Sequence, residues 1–482
     1  MAGIAGGRLA ASGLLEPEDC ATAEELLARL DGSEIETVRV VFIDQHGILR
    51  GKTLMPEALP SLFRSGIAAP STLLLKDTSH RTVFPVWSKD AGIASGPMQG
   101  ANDMLLVPDP GSLTPLPWSP HSAWLFARPV HRSGAPIPFA PETVLRTAID
   151  RLADQGYAAK LGLEVEFHVL DVTDDALDHD QTTMPGQPPQ TRALTQGYQF
   201  LTDARYGEAE EVLDLIRRNA QGLGLPIRSL EIEMGPSQFE ATFAPADPMT
   251  AARRMVMFRA MVKEVCARQG LHATFMARPR LPNITASGWH IHQSLEDLGT
   301  GANLFTPEGA HELTVEAAGW IAGLLAHAAE SQLLIAPTVN SYKRYSGQQL
   351  APDRVQWGWD NRGAMVRALL APGDGASRLE NRAPDATANP CYAIAAQLLS
   401  GLSGLTEGLE PPAPCETPYD SDVPPLPKSL RDAVEAFVGS ALYRDVLGDE
   451  TVDYLARLKR AEWDRYVATV SEWEQAEYFG LF

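Results

Sequence analysis

The sequence predicts an α+β protein with two domains, or with one large domain that carries insertions. The chain has 482 residues, which is more than one simple hydrophobic core accommodates. Near the N-terminus, two strand-like runs at 37–54 enclose a polar turn, a pattern typical of a β-hairpin. From 141 to about 408, strand-like and helix-like patterns alternate. A small domain is therefore expected before a larger mixed one.

Each further element follows from its local pattern. Apolar residues at helical spacing predict a short helix at 21–30. A proline in the first turn followed by an apolar stripe predicts another helix at 141–157. The proline-rich, helix-poor stretch 108–141 is interpreted as a connection between domains. The remaining predictions are surface loops at 171–197 and 410–427 and several helices from 428 to 482.

The composition is that of an ordinary globular protein with an excess of acids. Hydrophobic residues make up 44% of the chain, charged residues 21%, and the formal net charge is -21. Nucleic-acid binding is not expected, because it requires a basic face. The four cysteines show no CxxC pattern, so neither a zinc module nor a disulfide scaffold is predicted. Without a signal-peptide pattern or a bilayer-length apolar run, the prediction is a cytoplasmic protein with no membrane partner.

Pairs of polar residues two positions apart recur in separate strand-like runs. In a strand, residues i and i+2 point to the same face of the sheet, so each run projects its pair to one side. One such pair alone most often belongs to a solvated face, but their repetition predicts a shared polar cavity. The pairs are Glu164 and Glu166, Glu231 and Glu233, Gln238 and Glu240, His290 and His292, and Arg378 and Glu380, with Arg382 following.

Several carboxylates in one cavity require a neutralising partner. Two like charges about 4 Å apart repel by about 4 kcal/mol at an effective dielectric constant of about 20. Divalent cations neutralise such a cluster, and oxygen ligands with a histidine favour Mg²⁺ or Mn²⁺ over zinc. Cations that could hold a transferred phosphoryl group beside the metals are Arg344, Arg362, Arg367, Arg378 and Arg382. The sequence contains no Walker-type or kinase-type glycine-rich loop, so a nucleotide must bind in another way.

Six ordered motifs resemble the glutamine synthetase superfamily, type I branch. They are GLEVEF, EMGPSQFE, SGWHIHQSL, PTVNSYKR, NRGAMVR and RLENRAPDATANP, and the early FIDQHGILRGK resembles the family's small domain. The resemblance implies a small N-terminal β-grasp-like domain at 1–133 and a catalytic domain at 134–482. The second domain is expected to contain the curved antiparallel β-sheet of the glutamine synthetase and guanidino kinase fold. Cytoplasmic homo-oligomeric rings, commonly a dodecamer of two rings with active sites between subunits, are also implied.

The resemblance implies an ATP-dependent ligase that uses Mg²⁺ or Mn²⁺, about two or three ions per site. The γ-carboxylate of glutamate takes the terminal phosphoryl group of ATP, and an amine then displaces phosphate. The implied metal ligands are Glu166, Glu233 and Glu240 near the acceptor carboxylate, and Glu164, His290 and Glu380 near the ATP phosphates. The implied catalytic residues are Arg362, Arg344 and Arg382, the ATP-binding residues are His292, Ser294, Arg367 and Arg378, and the glutamate-binding residues are Glu166, Thr285, Ala286, His290, Arg344 and Arg382.

Departures from the family pattern bear on the amine. The loop glutamate that attracts ammonium in ammonia-using members falls at Leu350, and 66–74, where the family carries an ammonium-binding aspartate, contains no acid. An arylamine is unprotonated at neutral pH and needs less help from a base, whereas a polyamine would require carboxylates. The predicted function is therefore that of a γ-glutamyl amide synthetase acting on an aromatic or alkyl amine. The predicted amine-pocket residues are Trp289, Tyr345, Gln349, Leu350 and Trp357.

Other interpretations of the sequence stay open at this point. The family's Asn-Gly that contacts glutamate is Thr285-Ala286 here, so a related dicarboxylic amino acid is an alternative acyl donor. An ammonia-dependent glutamine synthetase is the main alternative function, with Asp353 as a replacement base. A catalytically silent, ring-forming homologue and a related carboxylate-amine ligase or guanidino kinase are further alternatives. The complete set of metal ligands argues against the silent homologue.

Overall fold

The computed structural model describes residues 3–89, 92–94, 96–174, 177–345 and 350–482. Within these ranges, helices pack on two β-sheets, which confirms the α+β prediction. The strands are β1 (Thr37–Ile43), β2 (Leu49–Leu54), β3 (Ile67–Pro70), β4 (Asp103–Pro108), β5 (Thr114–Leu116), β6 (Ser119–Val130), β7 (Tyr157–Val172), β8 (Thr191–Ala193), β9 (Ile227–Ile232), β10 (Gln238–Phe243), β11 (Leu271–Thr274), β12 (Trp289–Asp297), β13 (Trp357–Trp359), β14 (Val366–Leu369) and β15 (Arg378–Asn381). The α-helices are α1 (Arg8–Ala11), α2 (Pro17–Leu30), α3 (Leu59–Ser65), α4 (Pro141–Asp154), α5 (Asp203–Gly222), α6 (Pro248–Ala267), α7 (Val315–Ala326), α8 (Ala328–Ile335), α9 (Pro390–Thr406), α10 (Leu430–Val438), α11 (Ala441–Val467) and α12 (Glu472–Tyr478).

The N-terminal sheet has the strand order β2-β1-β6-β4-β3, with β5 paired to β6. The predicted hairpin is confirmed as β1 and β2, and the Asp44 carboxylate closes its turn by accepting the N–H groups of His46 and Ile48, each at 2.9 Å. The interpretation of 108–141 as a connection between domains is wrong, because β6 is a central strand of this sheet. Its buried run at 122–127 forms the strand, and its prolines lie near the two ends.

The second sheet has the strand order β13-β14-β15-β12-β7-β10-β9, with β8 and β11 also paired to β7. Its pairings are antiparallel except that of β13 with β14, which is parallel. The register places polar residues side by side on neighbouring strands. The cross-strand partners are Glu166 with Glu240, Glu164 with His290, His292 with Glu380, and Arg367 with Glu380.

Helices cover the sheets and connect the two parts of the chain. Helices α7 and α9 approach so closely that a Cβ atom at Gly404 would lie 2.0 Å from the carbonyl oxygen of Gly319. The turn between β1 and β2 is fixed to the second part, because the buried Arg259 donates to the carbonyl oxygen of Gly47 at 2.9 Å. The proposed boundary at 133/134 lies between β6 and α4.

The loop and tail predictions can be compared directly with the described residues. Over 410–427 the structure contains no helix or strand, as predicted, and the tail forms α10, α11 and α12. The segment 171–197 is largely irregular but contains the short strand β8 and the end of β7. Among the described helices, none is both long and apolar enough to cross a membrane.

Candidate active site

A cavity of about 610 Å³ lies over the polar face of the second sheet. The side chains that define its polar part come from strands β7, β9, β10, β12 and β14 and from the loops beside them. This polar lining consists of Glu164, Glu166, Glu231, Glu233, Gln238, Glu240, Thr285, His290, Arg344, Arg362, Arg367 and Arg382.

The alternation along β7 explains how the carboxylates reach the cavity. Glu164 and Glu166 point into it, whereas Val165 and Phe167 between and after them are fully buried on the other face. Neighbouring strands repeat this arrangement in register, so the prediction that the polar pairs converge on one face is confirmed.

Three groups of side chains in this region could each hold a metal ion. Within each group, the candidate ligand atoms lie within 4.8 Å of one another. The Oε1 atom of Glu240 is buried and has no hydrogen-bond partner among the described residues, so a cation fits this position. Carboxylate oxygens with a histidine nitrogen suit Mg²⁺ or Mn²⁺. The groups are Glu166, Glu233 and Glu240; Glu164, Glu240 and His290; and Glu164, His292 and Glu380.

The electrostatic environment divides these carboxylates into two kinds. Burial, and then the charge of Glu166, raise the pKa values of Glu233 and Glu240 well above the usual range. Burial also acts to raise the pKa of Glu164, but hydrogen bonds with His290 and His292 outweigh it and hold that pKa far below its usual value. Glu233 and Glu240 are therefore short of neighbouring positive charge, whereas Glu164 is held by two histidines.

The arginines differ in how strongly the protein already holds them. The fully buried Glu380 is paired with Arg367, whose Nη1 lies 3.0 Å away, and with Arg382. The buried Arg344 donates from Nη1 to the carbonyl oxygens of Ala383 at 2.8 Å and Pro384 at 3.1 Å. These contacts hold the guanidinium groups of Arg344, Arg367 and Arg382 in place before any ligand enters the cavity.

Gly288 marks where three of these groups converge. A Cβ atom at Gly288 would lie 3.0 Å from Nη2 of Arg344, 3.1 Å from Nε2 of His290 and 3.4 Å from Oε1 of Glu166. A side chain here would displace at least one of them, so glycine is required for this close approach.

Gln238 is a functional candidate whose role sequence reasoning missed. Its amide nitrogen donates to Oε2 of Glu166 at 3.1 Å and to the carbonyl oxygen of Ala286 at 2.9 Å. Its amide oxygen accepts from the backbone N–H of Gly235 at 2.9 Å and from the hydroxyl of Thr285. Only its i+2 spacing from Glu240 had drawn attention to it, because a hydrogen-bond network of this kind leaves no other sequence pattern.

Comparison with known protein families identifies the family of this chain. Residues 139–478 match the family described as glutamine synthetase, catalytic domain. The chain belongs to the glutamine synthetase family. It is 34% identical over 478 residues to the gamma-glutamylanilide synthase of an Acinetobacter species, covering 95% of this chain and 96% of that protein. It is 33% identical over 463 residues to the gamma-glutamylethanolamide synthetase of Streptomyces coelicolor, covering 95% of each.

Structural comparison agrees with the family assignment. The solved structure of GmaS without ligand matches with a TM-score of 0.79 and 29% identity, covering 94% of this chain and 99% of the other. The chain is therefore an ATP-dependent carbon–nitrogen ligase of the glutamine synthetase type, from a family that uses divalent metal ions.

Some of the residues assigned by resemblance line the cavity, and others do not. The group Glu166, Glu233 and Glu240 matches one implied ligand set. The other implied set is divided, because Glu164 belongs both to a group with His290 and to a group with Glu380. The latter group contains His292, which had been assigned to the nucleotide side. His292, Ser294, Arg378 and Glu380 are not part of the described lining, and Arg378 donates from Nε to Nδ1 of His292 at 3.0 Å.

The predicted aromatic amine pocket needs correction. Trp289 has no exposed surface, and Trp357 is 2% exposed with its indole N–H bonded to the carbonyl oxygen of Pro412. Tyr345 donates its hydroxyl to Gln332 at 3.1 Å and does not line the cavity. Trp289 and Trp357 belong to the hydrophobic core, and Tyr345 packs against it. Leu350 does line the cavity, and Gln349 lies outside the described residues.

Asp353, the candidate replacement base, does not line the cavity. Its side chain is 47% exposed and is absent from the lining of the cavity. Its Oδ1 lies 4.0 Å from Nε of Arg354. The structure therefore offers no support for this residue as the replacement base.

We expect the substitution Gln238→Leu to weaken divalent-cation binding by about 10–100-fold, because Oε2 of Glu166 keeps the N–H of Gly288 but loses the amide of Gln238 that also orients it. Titration calorimetry with Mn²⁺ measures the affinity directly. Gln397→Leu is the matched control, since Gln397 is a glutamine of similar burial that bonds to Asn381 and Gln293. Equal losses of metal affinity in the two variants would contradict a specific positioning role for Gln238.

Proposed function

We propose that this ligase joins the γ-carboxyl group of glutamate to an organic amine, forming a γ-glutamyl amide. The observation that carries the proposal is Leu350: it lines the cavity and is 49% exposed there, at the position where the resemblance places the ammonium-attracting glutamate. An apolar side chain neither binds ammonium nor accepts its proton, but it contacts a hydrocarbon group well. The names of the relatives, an anilide synthase and an ethanolamide synthetase, support the same class of acceptor.

Glutamate binds between the fixed cations and the sheet. Arg344 and Arg382 would hold its carboxylates, because both guanidinium groups are buried and positioned by protein contacts. The Nε atoms of Arg344 and Arg382 have no hydrogen-bond partner among the described residues, so each keeps donor capacity for a ligand. Thr285 and Ala286 also line the cavity, and both are hydrogen-bonded to Gln238.

The first step transfers the terminal phosphoryl group of ATP. An oxygen of the γ-carboxylate attacks the γ-phosphorus, the bond to the β-phosphate oxygen breaks, and ADP leaves with that electron pair. Arg362 would neutralise the transferred group, while Arg367, Arg378, His292 and Ser294 would contact the nucleotide. Bound Mg²⁺ or Mn²⁺, held by the three groups described above, would supply charge neutralisation for the phosphate and carboxylate oxygens.

The second step forms the amide. The amine nitrogen attacks the carbonyl carbon of the γ-glutamyl phosphate, the carbon–oxygen bond to phosphate breaks, and phosphate leaves with the electron pair. The nitrogen loses one proton to water. Since an arylamine is neutral at physiological pH, it needs less help from a general base before attack. The ring assembly with active sites between subunits remains part of this proposal.

Phosphate release tests the proposed reaction. We expect turnover with glutamate, MgATP and an aromatic or alkyl amine, at a kcat/KM at least about 10-fold above that for ammonia. Mass spectrometry of the product should show the γ-glutamyl amide, and omission of glutamate should stop phosphate release. Turnover with ammonia at low millimolar concentrations and with no organic amine would instead identify an ammonia-dependent glutamine synthetase.

A further inference from the structure

Part of the lining of the active-site cavity is apolar, in contrast to the carboxylates and arginines that also line it. We call the side chains of Tyr198, Phe200, Leu201 and Met234 the apolar wall. Their exposed fractions are 53%, 48%, 56% and 41%. Large apolar side chains left half exposed together in a concave site are typical of a ligand-binding surface.

The backbone holds this wall in an unfavourable conformation. Tyr198 has φ +58° and Leu201 has φ +54°, in the left-handed region that non-glycine residues rarely adopt. Such a conformation is unfavourable for a residue with a side chain, and it persists where the surrounding structure imposes it. The segment is imposed from both sides, because Tyr198 N–H donates to the carbonyl oxygen of Met234 at 2.7 Å and its hydroxyl donates to that of Asn283 at 2.7 Å.

These same contacts place the wall beside the reacting groups. Met234 directly follows Glu233, a member of the three-carboxylate metal group, and Leu201 N–H donates to the carbonyl oxygen of Ile232 at 3.2 Å. Asn283 lies two residues before Thr285, which lines the cavity with Ala286 and is assigned to glutamate under the proposed function. An amine whose hydrocarbon part lies on the wall would therefore have its nitrogen near the glutamate γ-carboxylate.

We propose that the apolar wall determines which amine reacts, and that it selects a primary amine carrying an aromatic or branched hydrocarbon group. This inference rests on the proposed function and assigns specificity to residues different from the predicted Trp289, Tyr345 and Trp357. The chemistry follows from the surface, since a hydrocarbon covers the half-exposed side chains. A diamine would bring a second ammonium group against them without a counter-ion on the wall.

The test compares substrates rather than total activity. The ratio of kcat/KM for benzylamine to kcat/KM for methylamine is measured in the wild type, in Phe200→Ala and in Leu201→Asn. Asparagine tolerates the left-handed conformation, so Leu201→Asn removes apolar surface without adding backbone strain. We expect the ratio to fall at least about 10-fold in each variant. Leu298→Ala, which alters a leucine that is 54% exposed outside the cavity lining, should keep the wild-type ratio.

Each remaining outcome separates this inference from the proposed function. If the wild type releases no phosphate with any organic amine, the proposed function fails and the wall has no amine to select. If the wild type uses amines but both wall variants keep the wild-type ratio, the inference alone is overturned. Light scattering compares the oligomeric mass of the wall variants with that of the wild type. If this mass changed while the benzylamine-to-methylamine ratio did not, a second copy of the chain would cover the wall, and the inference would also be overturned.

Discussion

We expect Glu240→Gln to abolish turnover and at the same time to stabilise the metal-free protein. Glu240 belongs to two of the three candidate metal groups, and the glutamine amide is a poor ligand for Mg²⁺ or Mn²⁺. Because the transferred phosphoryl group depends on metal neutralisation, kcat should fall by about 1,000-fold or more. Phosphate release with saturating ATP and glutamate measures this loss.

The stabilisation follows from the pKa of Glu240, which burial and then Glu166 and Glu164 raise. A carboxyl group whose pKa is raised in the folded state contributes fully to stability when the pH is below its pKa in the unfolded state. This contribution is lost as the pH rises through the pKa of the folded state. Glutamine does not titrate. The free energy of unfolding of the variant should therefore increase relative to that of the wild type as the pH rises above about 4.3, the usual pKa of glutamate. We expect the metal-free variant to be more stable by about 1–3 kcal/mol at pH 8 and equal to the wild type at pH 4.

Thermal unfolding in chelator, with and without added Mg²⁺, tests both the stabilisation of the metal-free variant and its loss of metal binding. Added Mg²⁺ should raise the melting temperature of the wild type more at pH 8 than at pH 6, and should raise that of Glu240→Gln much less. Glu296→Gln is the control, since Glu296 lies on β12 of the same sheet and pairs with Lys160 outside the cavity lining. A wild-type metal response that is independent of pH and survives in Glu240→Gln would contradict the assignment.

The sequence predicted the polar face of the site because strand geometry is local. Once Glu164 and Glu166 lie on a strand, the period of two directs both to one side, and the same reasoning applies to His290 and His292. Cross-strand register then completed the groups, as with Glu164 opposite His290. The hairpin of β1 and β2 was predictable for the same reason, since its turn is closed by a side chain within the turn itself.

The apolar wall was not predictable, because it depends on how loops return to the sheet. Tyr198 and Phe200 directly follow the predicted surface loop 171–197, and no pattern in the sequence assigned them to the site. Backbone hydrogen bonds to Ile232, the last residue of β9, and to Met234 bring these residues into the cavity. Conversely, Trp289 and Trp357 were placed in the pocket by proximity in sequence to the motifs, but proximity does not specify which face a strand residue occupies. The segment 108–141 was wrongly predicted to be a connection between domains, because the prolines near the ends of β6 are also typical of linkers.

The second large effect is expected at Arg362, where Arg362→Gln should lower kcat by about 1,000-fold and leave the KM for glutamate nearly unchanged. Arg362 lines the cavity, is exposed, and has no ion pair with any other described residue. Its charge is therefore available to the transferred phosphoryl group, and removing it leaves no buried partner uncompensated. The melting temperature of Arg362→Gln should match that of the wild type.

Arg382→Gln provides the contrast that separates catalysis from folding. Arg382 is paired with the fully buried Glu380, so this variant should lose stability as well as activity. Guanidinium ion added to Arg362→Gln should restore part of kcat, because the open site admits a small cation, whereas it should not restore the stability of Arg382→Gln. If Arg362→Gln kept the wild-type kcat, or lost activity only through unfolding, Arg362 would not be the group that neutralises the transferred phosphoryl, and that role would pass to Arg367 on β14, whose Nη1 already contacts Glu380.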